Sequence, residues 1–361
     1  MKVLVLAQVP PPVHGQSVMV SAMIRDLPSL GIEVRHVPLA LSRSHGEIGR
    51  WQPRKALAAI RAGLAARRAA RAEAFDALYY VPAPGKRGAL WRDLVVLGFA
   101  RPALPRLVLH WHAPGLGAWI DANATSWERA GAQRRLGGAD LSLVLSPDLA
   151  SDAGMFHPLR TEVVANGIPD PGESAPRTTG SPVEVLFLGT GSRAKGLLDT
   201  AEAVAELQHR RPGAFRLTFA GGFATRADEL DFKRWEQASG GAIRRAGFVD
   251  GAEKHALLSQ TDVFCFPTHY AHEGQPLALI DAMAHDVRIV TTRWRAIPGM
   301  VPAENVWFVE PGRPSSLASA LENAAGAVSP GGALRRHYLA HFTVERHLAA
   351  LRDALLLLGP R

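Results

Sequence analysis

Short apolar runs alternate with longer segments of helical periodicity along the whole chain. Runs that predict strands cover residues 2–7, 33–38, 77–81, 106–111, 141–145 and 162–165, and then 183–188, 216–220, 263–266, 288–292 and 306–309. Segments with a repeat of three to four residues, such as 197–209, lie between these runs. This alternation is typical of parallel sheets joined by crossover helices. The sequence therefore predicts an α/β fold.

The pattern restarts in the second half, after a segment with the composition of a linker. Residues 169–182 are rich in proline, glycine and small polar residues. A chain of 361 residues also exceeds what one hydrophobic core usually organises. We therefore predict a Rossmann-like domain at 1–168, a linker at 169–182 and a second Rossmann-like domain at 183–361, facing each other across a cleft. The sequence leaves open which domain the final helical stretch packs against.

The composition narrows the class of protein. Hydrophobic residues make up 47% of the chain and charged residues 20%, which excludes a mostly disordered chain. The apolar run at residues 3–7 lacks a basic leader and meets prolines at once, so it does not resemble a signal peptide. No stretch of about 18 apolar residues is present, and the single cysteine, Cys265, lies in an apolar run. These features predict a cytoplasmic protein without disulfides.

The positive charge is concentrated in the first half, with a net charge of +6 in residues 1–176 and +2 in the remainder. One segment without acidic residues combines Arg50, Arg54, Lys55, Arg61, Arg67, Arg68 and Arg71 with Trp51, Leu57, Ile60 and Leu64. A helix of this kind binds an anionic membrane surface, which predicts peripheral contact with the inner face of the cell membrane. A solvated helix face is the alternative. Nucleic acid is not a predicted partner, because interleaved stacking aromatics are missing.

Residues 272–284 carry the most chemical information. Here a loop becomes a helix at Pro276, because proline suits the first helical turn. The N–H groups at a helix start attract anions, and a departing diphosphate is such an anion. Glu273 precedes the helix and Asp281 lies within it. The two carboxylates are thus candidates to accept hydrogen bonds from the hydroxyl groups of a sugar and a ribose.

This segment resembles the E-x7-E region of the retaining GT-B glycosyltransferases of glycosyltransferase family 4. Further segments are similar to the same family: Phe266-Pro267-Thr268, residues 288–292 and 296–299, the Asn-Gly of residues 164–168, the donor-phosphate loop from Leu188-Gly189 to Lys195-Gly196, the glycine loop of residues 10–17, and the histidine loop of residues 109–115. The resemblance covers nearly the whole chain and is strongest in the second half.

The resemblance implies a GT-B fold and transfer of a hexosyl-type sugar from a nucleotide diphosphate sugar to a glycan or lipid-linked acceptor. It also implies retention of anomeric configuration and no metal or other cofactor. Catalytic roles fall on Glu273, His112 and Lys195. Donor binding falls on Gly15, Thr190, Arg193, Lys195, Gly274, Gln275, Pro276, Leu277 and Asp281.

The chain departs from the family pattern at three positions. Asp281 stands where glutamate is usual and is one methylene shorter. The family arginine that precedes the lysine falls on Thr190, so Arg193 is our predicted source of the missing positive charge. Gly299 follows Ile-Pro where an acidic residue is common.

The sequence also fits other functions. A GT-B nucleotide-sugar epimerase or phosphorylase would use the same two domains, and a non-catalytic binding protein would hold the donor without transfer. Residues 189–194 also fit the loose dinucleotide-binding pattern G-x-G-x-x-[GA]. A dehydrogenase is less favoured, because the next strand ends in Ala220-Gly221-Gly222, with no acidic residue for a ribose. His269, His272 and Glu273 lack the spacing of a helical zinc site.

Overall fold

The computed structural model describes residues 1–39, 53–173 and 180–359, which form two compact units. Unit 1 comprises Met1–Gly167 together with Val344–Arg361, and unit 2 comprises Ile168–Thr343. Each unit contains a parallel six-stranded sheet. No helix in the described part of the chain is both long and apolar enough to cross a membrane.

The sheet of unit 1 has the strand order β2-β1-β3-β4-β5-β6. Its strands are β1 Lys2–Ala7, β2 Glu33–Pro38, β3 Ala77–Tyr80, β4 Leu107–Trp111, β5 Leu141–Val144 and β6 Thr161–Val163. Its helices are α1 Gly15–Asp26, α2 Pro53–Ala72, α3 Arg87–Ala100, α4 Leu116–Asn123, α5 Ser126–Leu136, α6 Ser151–Met155 and α14 Val344–Leu356. Short 3-10 turns cover Leu27–Leu30, Arg101–Ala103 and Pro147–Leu149.

Apolar side chains on both faces of this sheet are covered, which explains why its central strands β1, β3, β4 and β5 read as continuous hydrophobic runs. One core cluster joins the sheet to α1 and α14 and includes Met23 and Leu351. The other joins it to α2, α3 and α5 and includes Ala66, Leu97 and Leu136. The final helix, whose position the sequence leaves open, therefore belongs to unit 1.

The sheet of unit 2 has the order β12-β11-β10-β7-β8-β9. Its strands are β7 Val183–Leu188, β8 Phe215–Ala220, β9 Ile243–Gly247, β10 Val263–Phe266, β11 Arg288–Thr292 and β12 Val306–Val309. Its helices are α7 Leu197–Arg210, α8 Arg226–Ala238, α9 Gly251–Ser259, α10 Leu277–Ala284, α11 Ile297–Met300, α12 Pro314–Gly326 and α13 Ala333–His341. At the two ends of this unit, Ile168 and Thr343 form a parallel β-bridge.

The eleven predicted strands are all present, and β9 is a twelfth strand that the sequence does not predict. In that strand only Ile243 is buried, while the following three residues are exposed at the edge of the sheet. An edge strand of this kind has no apolar run to reveal it. Residues 174–179 of the predicted linker, and Arg50 and Trp51 of the predicted basic segment, lie outside the described residues.

Candidate active site

The loops after β7 and β10 meet at one edge of the sheet in unit 2. These two strands are neighbours, and the chain crosses from one side of β7 to the other between β9 and β10. Ligands of open α/β sheets bind at such a switch point, outside the carboxyl ends of the strands. Lys195 lies in the loop after β7 and Glu273 in the loop after β10. The topology therefore brings two of the predicted site residues to the same edge.

Lys195 and Glu273 form an ion pair at this edge. The Lys195 Nζ lies 2.8 Å from Oε2 and 3.1 Å from Oε1 of Glu273. The carboxylate side chain is 7% exposed and the lysine side chain 21% exposed. The ammonium also lies 5.4 Å from the ring centre of Phe266 and 5.1 Å from that of Tyr270. Water reaches the pair from the lysine side, where an anionic ligand would meet the positive charge.

Thr268 holds the carboxylate of Glu273 in place. Its hydroxyl donates to Oε2 at 3.0 Å, and the backbone N–H of Glu273 donates to the carbonyl of Tyr270 at 3.0 Å. The loop is also tied to β11, since the Thr292 hydroxyl donates to the Thr268 carbonyl. Because Thr268 and Thr292 are both buried, these bonds are shielded from water and fix the direction of the acid.

Gly196 allows the two loops to approach closely. It has a φ of +82°, and a Cβ built there would lie 2.5 Å from the Pro267 carbonyl oxygen. A backbone hydrogen bond of 2.8 Å from His269 N to the Ala194 carbonyl joins the same loops. A side chain at position 196 would therefore force Lys195 away from the end of β10.

We expect Gly196→Ala to lower the free energy of unfolding by about 2 kcal/mol, because it adds both a left-handed strain and a backbone clash. Urea denaturation followed by circular dichroism measures this loss. Gly222→Ala is the matched control, since Gly222 has an ordinary φ and nothing within 4 Å of a built Cβ. Equal stability of the two variants would show that the close approach is not required.

The predicted helix start differs from the structure by one residue. Pro276 is the N-cap of α10 with a ψ of 119°, and the helix begins at Leu277 rather than at the proline. Gly274, Gln275 and Pro276 are buried between Glu273 and the helix. The first N–H groups of a helix have no partner within the helix. In α10 these first N–H groups belong to Leu277 and Ala278, which follow Glu273 by four and five residues in the sequence.

Asp281 lies on α10 and is bound by a lysine that the sequence analysis missed. The Lys254 Nζ, on α9, lies 2.8 Å from Asp281 Oδ1. Burial raises the pKa of the Asp281 carboxyl, and the Lys254 ammonium opposes that rise. No local signal in the sequence pairs two residues 27 positions apart on different helices. Asp281, which is one methylene shorter than the usual glutamate, therefore has a cationic partner in Lys254.

The structure does not bring Arg193 to the Lys195–Glu273 pair. Its guanidinium lies 3.4 Å from Asp231 on α8, and its backbone N–H donates to Asp228. The side chain of Arg193 is 66% exposed. Thr190 lies in the same loop, before Gly191, whose backbone bonds to Gly222. The donor-binding roles of Thr190 and Arg193 stay predictions.

In unit 1, His112 follows β4 and belongs to a cluster of buried histidines. Its ring centre lies 4.1 Å from that of His110, which in turn lies 6.4 Å from that of His347. Burial lowers the pKa of His112 to about 3, with further lowering by His347 and His14. Burial also lowers the pKa of His110 well below its usual value. His112 is therefore neutral at pH 7, and its buried Nε2 has no hydrogen-bond partner among the described residues.

Asp152, which is not among the residues predicted from the sequence, fixes the loop that carries His112. Its carboxylate accepts backbone N–H bonds from Gly115, Leu116 and Gly117 at 2.6 to 3.0 Å. These bonds satisfy the free N–H groups at the start of α4. An aspartate 37 residues from its partner gives no local capping signal.

Gly15 begins helix α1 at the carboxyl end of β1. In this sheet β2 lies on one side of β1 and β3 on the other, so the strand order changes direction at β1. The start of α1 therefore lies at a switch point as well. His14 caps the helix, with its Nδ1 3.3 Å from Ser17 N. The structure thus places Gly15 in a helix start rather than in the middle of a loop.

We expect the histidine cluster to make unit 1 sensitive to acid. The pKa values of His110, His112 and His347 are lower in the folded than in the unfolded chain. The unfolded chain therefore binds more protons below about pH 6.5, and stability falls as the pH falls towards 3. Each such group contributes up to about 1.4 kcal/mol per pH unit. The midpoint of thermal unfolding at pH 7, 6 and 5 measures this slope.

His112→Gln should flatten the dependence on pH between 7 and 5, whereas His209→Gln, at an exposed position of α7, should leave it unchanged. An identical slope in the two variants would contradict the role of His112 in acid sensitivity.

Among residues 1–39, 53–173 and 180–359, no group of three or more His, Cys, Asp or Glu side chains is arranged to hold a metal ion. His269, His272 and Glu273 do not form such a group among these residues. Independence from metal stays a prediction.

Comparison with protein families matches residues 182–326 to Glycosyl transferases group 1. The chain is 25% identical, over 189 residues, to WcaL of Escherichia coli (strain K12), which is named as a colanic acid biosynthesis glycosyltransferase; the match covers 48% of this chain and 46% of WcaL. It is 33% identical over 117 residues to the glycogen synthase of Mycobacterium tuberculosis, covering 32% of this chain and 27% of that protein. The matches thus span less than half the length of these curated relatives.

Solved structures resemble the whole chain. Sucrose-phosphate synthase from Thermosynechococcus elongatus has a TM-score of 0.76 at 16% identity, covering 99% of this chain and 98% of that one. Anabaena HepE, in complex with UDP and glucose, has a TM-score of 0.69 at 16% identity, covering 98% and 99%. These likenesses confirm the predicted GT-B fold of two Rossmann-like units. The family match lies within unit 2, which spans Ile168–Thr343.

Proposed function

We propose that the chain is a retaining, metal-independent glycosyltransferase of family 4. It would transfer a hexosyl-type sugar from a nucleotide diphosphate sugar to a glycan or lipid-linked acceptor, at the inner face of the cell membrane. The observation that carries this proposal is the Lys195–Glu273 ion pair at the switch point of unit 2. That pair lies within the residues that match Glycosyl transferases group 1.

The chemistry requires a group that stabilises the departing diphosphate. Lys195 supplies a positive charge beside aromatic rings, and the start of α10 supplies N–H groups and the positive end of a helix dipole. As the bond from the anomeric carbon to the diphosphate oxygen breaks, both favour the charge that develops. Neither contribution needs a metal ion.

Glu273 has a different role in this proposal. Its carboxylate accepts from Lys195 and Thr268, which hold it in place as an acceptor for sugar hydroxyl groups. Asp281 would accept from the ribose, with Lys254 as its counter-charge. Gly15 would allow a phosphate to approach the start of α1.

His112 acts in unit 1 as a neutral imidazole. Because its Nε2 is buried without a partner in the described structure, a sugar hydroxyl that bonds to it would satisfy a group that otherwise costs free energy. Retention follows in this proposal from attack by the acceptor hydroxyl on the same face, with its proton passing to the departing diphosphate.

A thermal-shift panel tests donor binding. UDP and UDP-glucose go first, because HepE has been solved with both, followed by GDP, ADP and their sugars. We expect one nucleotide to raise the melting temperature of the wild type and to lose that effect in Lys195→Met. NAD(P)H is the comparison ligand, and a shift with NAD(P)H alone would favour the dehydrogenase alternative.

A further inference from the structure

Helix α2 buries several of its small residues and leaves its leucine and isoleucine side chains exposed or half-buried. Ala59, Ala62 and Ala66 are buried in the core beneath it, and a Cβ built on Gly63 would lie 2.9 Å from the Val96 carbonyl oxygen of α3. This close contact leaves the inward side of α2 no room for larger side chains. The apolar face that packs into the unit is thus the alanine and glycine face, not the leucine and isoleucine series.

The exposed side of α2 carries apolar and basic residues together. Leu57 is 47% exposed and Ile60 is 37% exposed. At 100° per residue, the arginines of the helix fall on the same half of its circumference, opposite the alanines. These arginines are Arg54, Arg61, Arg67, Arg68 and Arg71, and all five are exposed. The helix has no acidic residue.

Two exposed tryptophans lie in the same layer of helices. Trp91 near the start of α3 is 41% exposed and Trp127 near the start of α5 is 52% exposed, with ring centres 4.5 Å apart. Crossover helices on one face of a parallel sheet all run back from the carboxyl edge of the sheet. The tryptophans and the first half of α2 therefore lie towards the same edge of unit 1.

The acidic side chains of α3 and α5 have partners within the unit. Asp93 is buried and accepts from Tyr80 and the Ala83 N–H, while Glu128 is buried and accepts from Arg87 and Trp91. The exposed charge on this part of the helix layer is therefore positive around apolar and aromatic side chains.

We infer that this surface, formed by the exposed side of α2 with Trp91 and Trp127, docks on an anionic lipid bilayer. Arginines bind lipid phosphates, leucine and isoleucine enter the acyl boundary, and tryptophans lie at the level of the headgroups. This surface would hold the protein at the membrane where the proposed function places it. Only the lipid-linked acceptor rests on that proposed function.

The test is sedimentation of the full chain with phosphatidylcholine vesicles. One set of vesicles is neutral, and the other contains about 30 mol% phosphatidylglycerol, which makes the surface anionic. We expect binding to the anionic vesicles and not to the neutral ones. Arg61→Glu/Arg67→Glu should weaken that binding at least about tenfold. Arg211→Glu/Arg313→Glu is the matched control for net charge, at exposed positions of unit 2, and should bind like the wild type.

Brominated lipids supply a second readout. They should quench tryptophan fluorescence on binding, and Trp127→Phe should reduce the quenched fraction without changing affinity much. Equal binding to neutral vesicles, no binding, or full binding by the α2 variant would overturn the inference. Binding to a single-stranded oligonucleotide but not to vesicles would overturn it in favour of nucleic acid. Vesicle binding needs no donor and donor binding needs no vesicle, so either can fail alone.

Discussion

Glu273→Gln is expected to lower the kcat of sugar transfer by about 10² to 10³ while leaving the fold intact. The amide keeps the shape of the carboxylate and still accepts from Thr268, but it removes the charge that binds Lys195 at 2.8 Å. It also weakens the acceptor that would orient the sugar hydroxyls. Initial rates of nucleotide release with the donor found in the thermal-shift panel measure this loss.

Glu304→Gln is the control, because Glu304 is exposed in the same unit. Its rate should equal that of the wild type. A Glu273→Gln enzyme that retains more than about a third of its rate, with an unchanged circular dichroism spectrum, would mean that Glu273 is structural.

Lys195→Met is expected to lower kcat/KM by about 10² or more, because methionine keeps the aliphatic length but removes the positive charge offered to the diphosphate. The variant leaves Glu273 as a carboxylate without its cationic partner, so donor binding should weaken as well as turnover. Steady-state kinetics across donor concentrations separates the two effects.

The double variant Lys195→Met/Glu273→Gln tests whether the two side chains act together. Because they are in direct contact, their effects on transition-state free energy should not add, and the double variant should be little worse than the poorer single variant. Strict additivity would contradict the pairing of these residues in the working enzyme.

The sequence predicts the fold well because both sheets are buried on two faces. Continuous apolar runs such as β1 and β7 identify their strands directly, and the second set of runs separates the two units. The edge strand β9 cannot be identified from an apolar run, since only Ile243 is buried in it. The chain's return to unit 1 at α14 depends on packing between residues far apart in sequence, and no local pattern encodes it.

The candidate site is predicted only in part. Glu273 and Lys195 come from recognisable motifs after strands, and the switch point then brings them together. Lys254 and Asp152 were missed, because each acts on a partner more than 25 residues away in the chain. Arg193 is close to Lys195 in sequence, yet its guanidinium lies beside Asp231 of α8, which spacing alone does not reveal.

In our proposal, the chain moves a sugar from a nucleotide donor to an acceptor. The most direct measurement incubates the protein with UDP-, GDP- and ADP-sugars carrying a radiolabelled sugar, together with a membrane extract, and follows both nucleotide release and label in a new product. We predict release from one donor, matched by label in a larger glycan or lipid fraction and lost in Glu273→Gln. Donor binding without release or labelled product would instead identify a non-catalytic binding protein, and turnover of the donor without an acceptor would favour an epimerase.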